Sequence, residues 1–194
     1  MTYTLRVATA DDVPALQALI PRSARALSAG YYTERQISSA ITHVFGVDTQ
    51  LIADGTYYVV IAEADGQFVG CGGWSMRQTL YGGDQMKGEA DPLLDPATDA
   101  ARIRAFFVDP DHTRQGIGRR IIEACEAAAG QAGFTCMELG ATLPGEPLYA
   151  AMGYAVTDRF EIALPDGERL PCAHMAKTLS SHQEGAPTDG ALPQ

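Results

Sequence analysis

Phe106-Phe107-Val108-Asp109-Pro110-Asp111-His112-Thr113-Arg114-Gln115-Gly116-Ile117-Gly118-Arg119-Arg120-Ile121-Ile122 is the stretch that decides the fold. An apolar strand enters a turn at Pro110, passes Gly116-Ile117-Gly118 and opens directly into a helix with Ile117, Ile121, Ile122 and Cys125 on one side. That order makes an anion seat. The first backbone N–H groups of a helix have no intrahelical partner, and the helix dipole adds about half a positive charge there. Gly116 and Gly118 remove the Cβ atoms that would hold a pyrophosphate away from those amides, while Arg114, Arg119 and Arg120 add positive charge nearby. A P-loop requires G-x-x-x-x-G-K-[ST] and a dinucleotide fingerprint requires G-x-G-x-x-G, and neither spacing is present. Taken alone, Gly-x-Gly before a helix is equally well a tight strand-to-helix turn.

Working outward, Ala101 to Val108 reads as the strand that feeds this loop. The helix continues through Ala124, Cys125, Ala127 and Ala128 to a stop around Gly130 to Gly133, and Phe134 to Ala141 reads as the next strand. Strand, crossover helix and strand at this spacing form a βαβ unit with parallel strands. Thr142 to Pro147 is a turn and helix start, and Leu148-Tyr149-Ala150-Ala151-Met152-Gly153-Tyr154 is a short apolar helix closed by glycine.

The stretch from Val108 resembles motif A of the GNAT superfamily of acyl-CoA-dependent N-acetyltransferases. That motif is a hydrophobic strand, Val-x-Pro, then Arg/Gln-x-x-Gly-x-Gly/Ala at a helix start. Val108-Asp109-Pro110 fits, and Thr113-Arg114-Gln115-Gly116-Ile117-Gly118 fits except at Thr113, where the family most often has Arg or Gln. Leu148 to Tyr154 resembles motif B, Leu/Phe-Tyr-x-x-x-Gly-Tyr/Phe, which closes a short helix beneath the acyl-CoA. The resemblance implies an α/β (α+β mixed sheet) GNAT-like fold with a central splayed pair of parallel strands flanked by helices, the gap admitting the pantetheine arm. It covers nearly all of residues 1–179, with the specific motifs inside 104–154.

Composition sets the outer bounds. The 194 residues, 46% of them hydrophobic, suit one well-buried core, and no break in composition suggests a second domain, so residues 1–179 are expected to form one domain. Net charge −10 and a pI near 4.7 argue against a nucleic-acid surface or an anionic membrane. Cys71, Cys125, Cys136 and Cys172 are widely spaced in apolar stretches, read as free thiols, and with the scattered His43, His112, His174 and His182 form no metal-ligand cluster. No metal is expected. The lack of a basic-plus-apolar leader, and of any long apolar run, suggests a cytoplasmic setting.

The rest of the chain supplies the frame. Thr2 to Ala8 reads as a first strand. A helix starts at Thr9-x-x-Asp12, with Pro21 marking a kink or division and a break near Gly30, and a second starts at Thr33 with Gln36 completing a capping box. Tyr57 to Ala64 and Gln67 to Trp74 form a hairpin across Asp65-Gly66. The glycines Gly70, Gly72 and Gly73 in its second arm point to a bulge or close packing. Thr79 to Ala100 reads as a mobile substrate lid. Ala155 to Leu164 and Arg169 to Thr178 form a closing hairpin whose edge is open to a second copy, so a homodimer is an option. Ser180 to Gln194 is polar enough to read as a disordered tail.

The resemblance implies transfer of an acetyl group from acetyl-CoA to a primary amine, by direct attack through a tetrahedral intermediate. Phe107, Val108, Thr113, Arg114, Gln115, Gly116, Ile117, Gly118 and Arg119 are the expected cofactor-binding residues, and the Phe107 or Val108 backbone N–H, Val108 first, the expected oxyanion donor. Tyr149 is the expected general acid for the leaving thiolate. Trp74 and Tyr81 are the substrate-pocket candidates. Glu63, Glu89, Asp91 and Glu138 are carboxylates from which a base would be drawn, unless the amine binds already neutral. The acceptor is a small molecule or a peptide amine. Transfer of another acyl group, or to a hydroxyl, fits the same cofactor loop, as does a non-catalytic acyl-CoA sensor.

Overall fold

The computed structural model describes residues 2–88 and 90–179, so Glu89 and the expected tail Ser180–Gln194 lie outside the described residues. In chain order the elements are β1 (Tyr3–Val7), α1 (Val13–Ser28), α2 (Glu34–His43), α3 (Thr49–Ala53), β2 (Tyr57–Ala62), β3 (Phe68–Ser75), β4 (Ala101–Val108), α4 (Ile117–Gln131), β5 (Cys136–Thr142), α5 (Glu146–Ala151), β6 (Ala155–Ala163) and β7 (Arg169–Thr178). The strands form one mixed sheet in the order β1-β2-β3-β4-β5-β7-β6, in which β4 and β5 are the parallel pair.

Period-two alternation divides the core between the two faces of this sheet. On one face Val60, Ala62 and Val69 meet the α4 stripe of Ile117, Ile121, Ile122, Cys125 and Ala129. On the other, Tyr57, Val59 and Cys71 meet Leu16, Leu19 and Ile20 of α1. The small residues of β3 make these approaches possible. A β-carbon at Gly70 would lie 2.5 Å from Ile117 Cγ2, and one at Gly72 would overlap the Phe106 ring.

Local signals explain most helix starts. Gln36 N–H donates to Thr33 Oγ1 at 3.2 Å and Thr33 N–H to Gln36 Oε1 at 2.9 Å, the expected capping box of α2. At the other start the Asp12 carboxylate accepts from Thr9 N–H at 2.8 Å and pairs with Arg6 at 2.7 Å, which holds its pKa down at about 2. One expectation is corrected: helix α1 is not divided at Pro21, because its buried stripe of Leu16, Leu19, Ile20, Ser23 and Ala24 holds both halves to the sheet. Helix α3 was not foreseen; Asp48 starts it by accepting from Gln50 N–H at 3.1 Å and Leu51 N–H at 3.3 Å.

The segment read as a mobile lid is tied down. Arg77 pairs with Asp54 at 2.7 Å, Thr79 N–H donates to Asp91 Oδ1 at 2.9 Å, and Gly83 N–H donates to Val44 O at 2.9 Å. Lys87 pairs with Asp48, and Leu94 is buried. These contacts make it a strap across the ends of α2 and α3. Among the described residues no helix is long and apolar enough to cross a membrane.

Candidate active site

The cleft begins where two parallel strands part. β4 and β5 are in register only at Ala101 with Met137 and Arg102 with Glu138. Beyond that point a cavity of about 210 Å³ opens between them, bordered by Ile103 to Val108 on one side and Gly140 and Thr142 on the other. Helix α1 contributes Ser23, Ala24, Leu27 and Ser28 to its wall, and α5 with the turn before it contributes Gly145, Leu148 and Tyr149.

A bulge in β4 turns the strand at the gap. Cys71 faces Phe107 and Gly73 faces Arg104, so Ala105 and Phe106 together stand opposite Gly72. Ala105 has φ 51°, a left-handed conformation that an L side chain adopts at a cost of about 1–3 kcal/mol. Fully buried Tyr57 pins it, donating its hydroxyl hydrogen to Ala105 O at 2.8 Å. The Phe106 ring sits in the space left by Gly72 and packs edge-on against Tyr149, centroids 5.9 Å apart.

Tyr149 is 7% exposed, and burial raises its pKa well above the ordinary phenol value, so the hydroxyl keeps its proton. No described residue hydrogen-bonds that hydroxyl. Its ring is held between Phe106 and Tyr154. The main chain of Val108 meets Ser23 instead of another strand: its N–H donates to Ser23 Oγ at 3.2 Å, and Ser23 Oγ–H donates to Val108 O at 2.7 Å. Ser23 was not singled out in the sequence, although helical spacing puts it on the same face as Leu16, Ile20 and Leu27.

At the mouth, the loop before α4 holds two residues in the left-handed region, Arg114 at φ 60° and Gly116 at φ 80°. Thr113 and Gly118 are partly buried, and Arg114, Gln115, Gly116 and Arg119 are exposed. Ile117 is the loop's anchor, buried against β3. Gly118 marks a close approach, since a β-carbon there would lie 2.8 Å from Leu148 Cδ2 and 3.6 Å from Phe106 Cε1. Asp109 fixes the turn from below: buried, it pairs with Arg22 at 2.6 Å and accepts from Asp111 N–H at 2.9 Å. Tyr3 O–H donates to Gln115 Oε1 and Arg120 donates to Tyr3 O at 3.0 Å, so β1 supports the outer side. Two left-handed residues, exposed residues from Arg114 to Gly116 and free space at Gly116 fit a diphosphate.

The two substrate-pocket candidates separate. Tyr81 lines the cleft and stacks on Phe160, ring centroids 5.7 Å apart at 26°. Trp74 does not line it: the indole is 4% exposed in the core on the α4 side, edge-on to Phe134 at 6.0 Å. Inward alternation on β3 carries it to the face opposite α1, so Trp74 is corrected to a packing residue. Val44, Phe45 and Leu80, which the sequence did not mark, complete the wall beside Tyr81.

Arg104, another unforeseen member, is the charged residue of the lining. Its side chain is 1% exposed, contacts Asp48 at 3.0 Å and Asp91 at 3.9 Å, and donates to Gly82 O at 2.5 Å. Burial lowers its pKa, and the nearby carboxylates oppose that shift. Among the described residues no group of three or more His, Cys, Asp or Glu side chains is placed to hold a metal ion.

The comparisons with known proteins agree with this fold. A sequence model for the acetyltransferase (GNAT) family matches residues 24–154. No curated protein matches the chain. Among solved structures, the GCN5-related N-acetyltransferase of Rhodopseudomonas palustris superposes with TM-score 0.67 at 24% identity, over 92% of this chain and 97% of that one. PaiA N-acetyltransferase of Thermoplasma acidophilum, solved with coenzyme A, gives 0.61 at 14% over 92% and 99%. A phosphinothricin acetyltransferase of Sinorhizobium meliloti, solved with acetyl-CoA, gives 0.60 at 19% over 100% and 97%. At these identities the likeness shows the fold.

Proposed function

From the premise that the chain belongs to the acetyltransferase (GNAT) family and is an acyl-CoA-dependent transferase, we propose that it moves an acetyl group from acetyl-CoA to a primary amine. The observation that carries this reading is the gap between β4 and β5, with Tyr149, whose hydroxyl no described residue hydrogen-bonds, among its lining residues and the start of α4 packed at Gly118 against Leu148 and Phe106 of that lining. We take residues 1–179 as the working domain in a cytoplasmic setting.

Acetyl-CoA supplies an activated thioester. The chain supplies placement and protons. The backbone of Thr113, Arg114, Gln115, Gly116, Ile117, Gly118 and Arg119 receives the diphosphate, helped by the dipole of α4. Phe107 and Val108 offer main-chain groups along the cleft. As the oxyanion donor, Val108 N–H exchanges Ser23 Oγ for the carbonyl oxygen, one hydrogen bond for another. Tyr149 delivers the proton that the departing sulfur takes. Its raised pKa keeps it protonated at neutral pH, while its reference value of about 10 against about 8.5 for a thiol means geometry must do most of the work.

Calorimetry with acetyl-CoA tests the reading. Wild type should bind. Gly116→Glu should not, because it sets a carboxylate in the phosphate seat; a β-carbon at Gly116 meets nothing within 4 Å, so the substitution costs only the left-handed strain of about 1–2 kcal/mol. Gly116→Asn, which tolerates the same backbone without a charge, should retain binding. A folded wild type that binds no acyl-CoA, or a Glu variant that binds normally, would overturn the proposal.

A further inference from the structure

We infer that the acceptor is a small amine with an apolar body, taken up as its uncharged free base. This names the substrate class of the proposed transfer and rests on that reading.

The acceptor half of the cleft is apolar. Leu27 from α1, Val44 and Phe45 behind α2, Leu80 and Tyr81 from the strap, and Ile162 from β6 form its wall. Phe45 packs edge-on to Phe107 at 5.8 Å, bringing this wall against the strand that carries the proposed oxyanion donor. The charge on Arg104 is already answered by Asp48, which Lys87 also contacts, and its Nη2 is spent on Gly82 O. Among the described residues, the lining therefore offers an ammonium no counter-charge.

The described carboxylates from which a base would be drawn, Glu63, Asp91 and Glu138, have contacts outside the cleft lining, and Glu89 lies outside the described residues. Glu63 accepts from Thr4 at 2.9 Å beside β1. Asp91 Oδ1 accepts from Thr79 N–H at 2.9 Å, and its buried Oδ2, which has no hydrogen bond, lies 3.9 Å from Arg104. Glu138 pairs with Arg102 and lies 3.1 Å from His174 Nε2, which makes no hydrogen bond. Among the described residues lining the cleft, none is Asp or Glu.

An ion brought into such a site without a partner carries a penalty of several kcal/mol. An apolar body instead gains about 25 cal/mol for each Å² it hides from water. The selection falls against cationic acceptors and toward hydrophobic ones, and it requires that the amine shed its proton to solvent before entry. Transfer then needs only alignment. The overall balance is R–NH₂ plus acetyl-CoA giving R–NH–acetyl plus the CoA thiol: a C–N bond forms, the C–S bond breaks, and one N–H proton is lost as sulfur gains one. Sulfur's proton comes from Tyr149, whose phenolate is reprotonated from solvent by the proton the nitrogen releases.

The test uses the full chain. Acetyl-CoA binding by calorimetry is measured first, and its absence overturns the transfer reading and this inference together. Thiol release is then followed with aniline, benzylamine, spermidine and lysine. The apolar amines should exceed spermidine and lysine in kcat/KM by about 100-fold. Between about pH 6 and about pH 9 the rate with benzylamine should rise toward its own pKa while that with aniline stays flat. Leu80→Asp, a half-buried wall position given a carboxylate, should narrow the preference by about tenfold. With acetyl-CoA binding intact, a preference for spermidine or lysine, or one pH midpoint shared by both apolar amines, overturns the inference alone. If no amine turns over, calorimetry of benzylamine into the CoA-loaded protein decides it: binding supports the inference and no binding overturns it.

Discussion

Tyr57→Phe removes one oxygen and should both destabilise the fold and slow the reaction. The Tyr57 ring is completely buried, and its hydroxyl is the recorded donor to Ala105 O at 2.8 Å. Losing it leaves a carbonyl without that partner, a penalty of about 1–3 kcal/mol. The same carbonyl belongs to the residue held at φ 51°, so relaxation of the bulge is the natural way to recover part of that penalty. For a chain of this size each kcal/mol lowers the melting temperature by about 2–4 °C, giving an expected fall of about 2–12 °C. Relaxation also moves Phe106 and Phe107, and a displacement of about 1 Å near a reacting centre costs up to about 100-fold in rate. Thermal unfolding by calorimetry and acetyl-CoA turnover in an amine screen read the two effects. A variant that melts within about 1 °C of wild type and turns over normally would refute the idea that Tyr57 pins the bulge.

Tyr149→Phe should behave in the opposite way, because its hydroxyl has no hydrogen bond to lose within the described residues: the melting temperature stays close to wild type while kcat falls about 10²- to 10⁴-fold, and an unchanged kcat removes Tyr149 as the acid. Gly72→Ala drives a methyl group into the Phe106 ring and should cost about 1–3 kcal/mol in denaturant unfolding; an unchanged midpoint would show that the ring has room to move. Alkaline pH should weaken the fold. Burial pushes the Cys71 and Cys172 thiols up to about 12, against about 8.5 unfolded, so the unfolded state releases protons that the native state keeps. Stability is fully present below about pH 8.5 and declines as pH rises toward about 12, by up to about 1.4 kcal/mol per pH unit for each thiol. Denaturation midpoints at about pH 8 and about pH 10 check the sign, and a higher midpoint at the higher pH contradicts it.

The parts of this site visible in the sequence are those built from local signals. Gly116 and Gly118 stand where a strand becomes a helix, and the α4 stripe repeats at helical spacing, so the strand-loop-helix order that frames the proposed diphosphate seat could be read directly. Tyr149 followed from a short helix closed by Gly153, whose φ of 88° ends it. The cleft wall is a different matter. Ser23 and Val108 are far apart in the chain, and nothing local reveals that a helix serine reaches a strand edge. Arg104 and Asp48 meet only after β4 and α3 are both in place. Trp74 misled because its position before a long loop suggested a pocket, whereas the face it occupies is set by pairing with β4. The strap misled in the same way: its glycines and prolines are loop residues, but its anchors, Asp54, Asp48 and Asp91, act through pairs that sequence order does not display.

The separation of β4 from β5 leaves strand edges whose main-chain groups lack the next strand, an arrangement that is ordinarily unfavourable in a buried setting. Two side chains make it tenable. Tyr57 takes the Ala105 carbonyl, and Ser23 takes both polar groups of Val108. The first is fully buried and maintains the shape of the strand. The second lies at the cleft wall, where, in the proposed mechanism, the acyl group takes over its hydrogen bond from Val108 N–H at little net cost, since one pairing replaces another. The bulge is therefore held by a contact that the substrate does not disturb, while the edge proposed to meet substrate is held by one that it can displace.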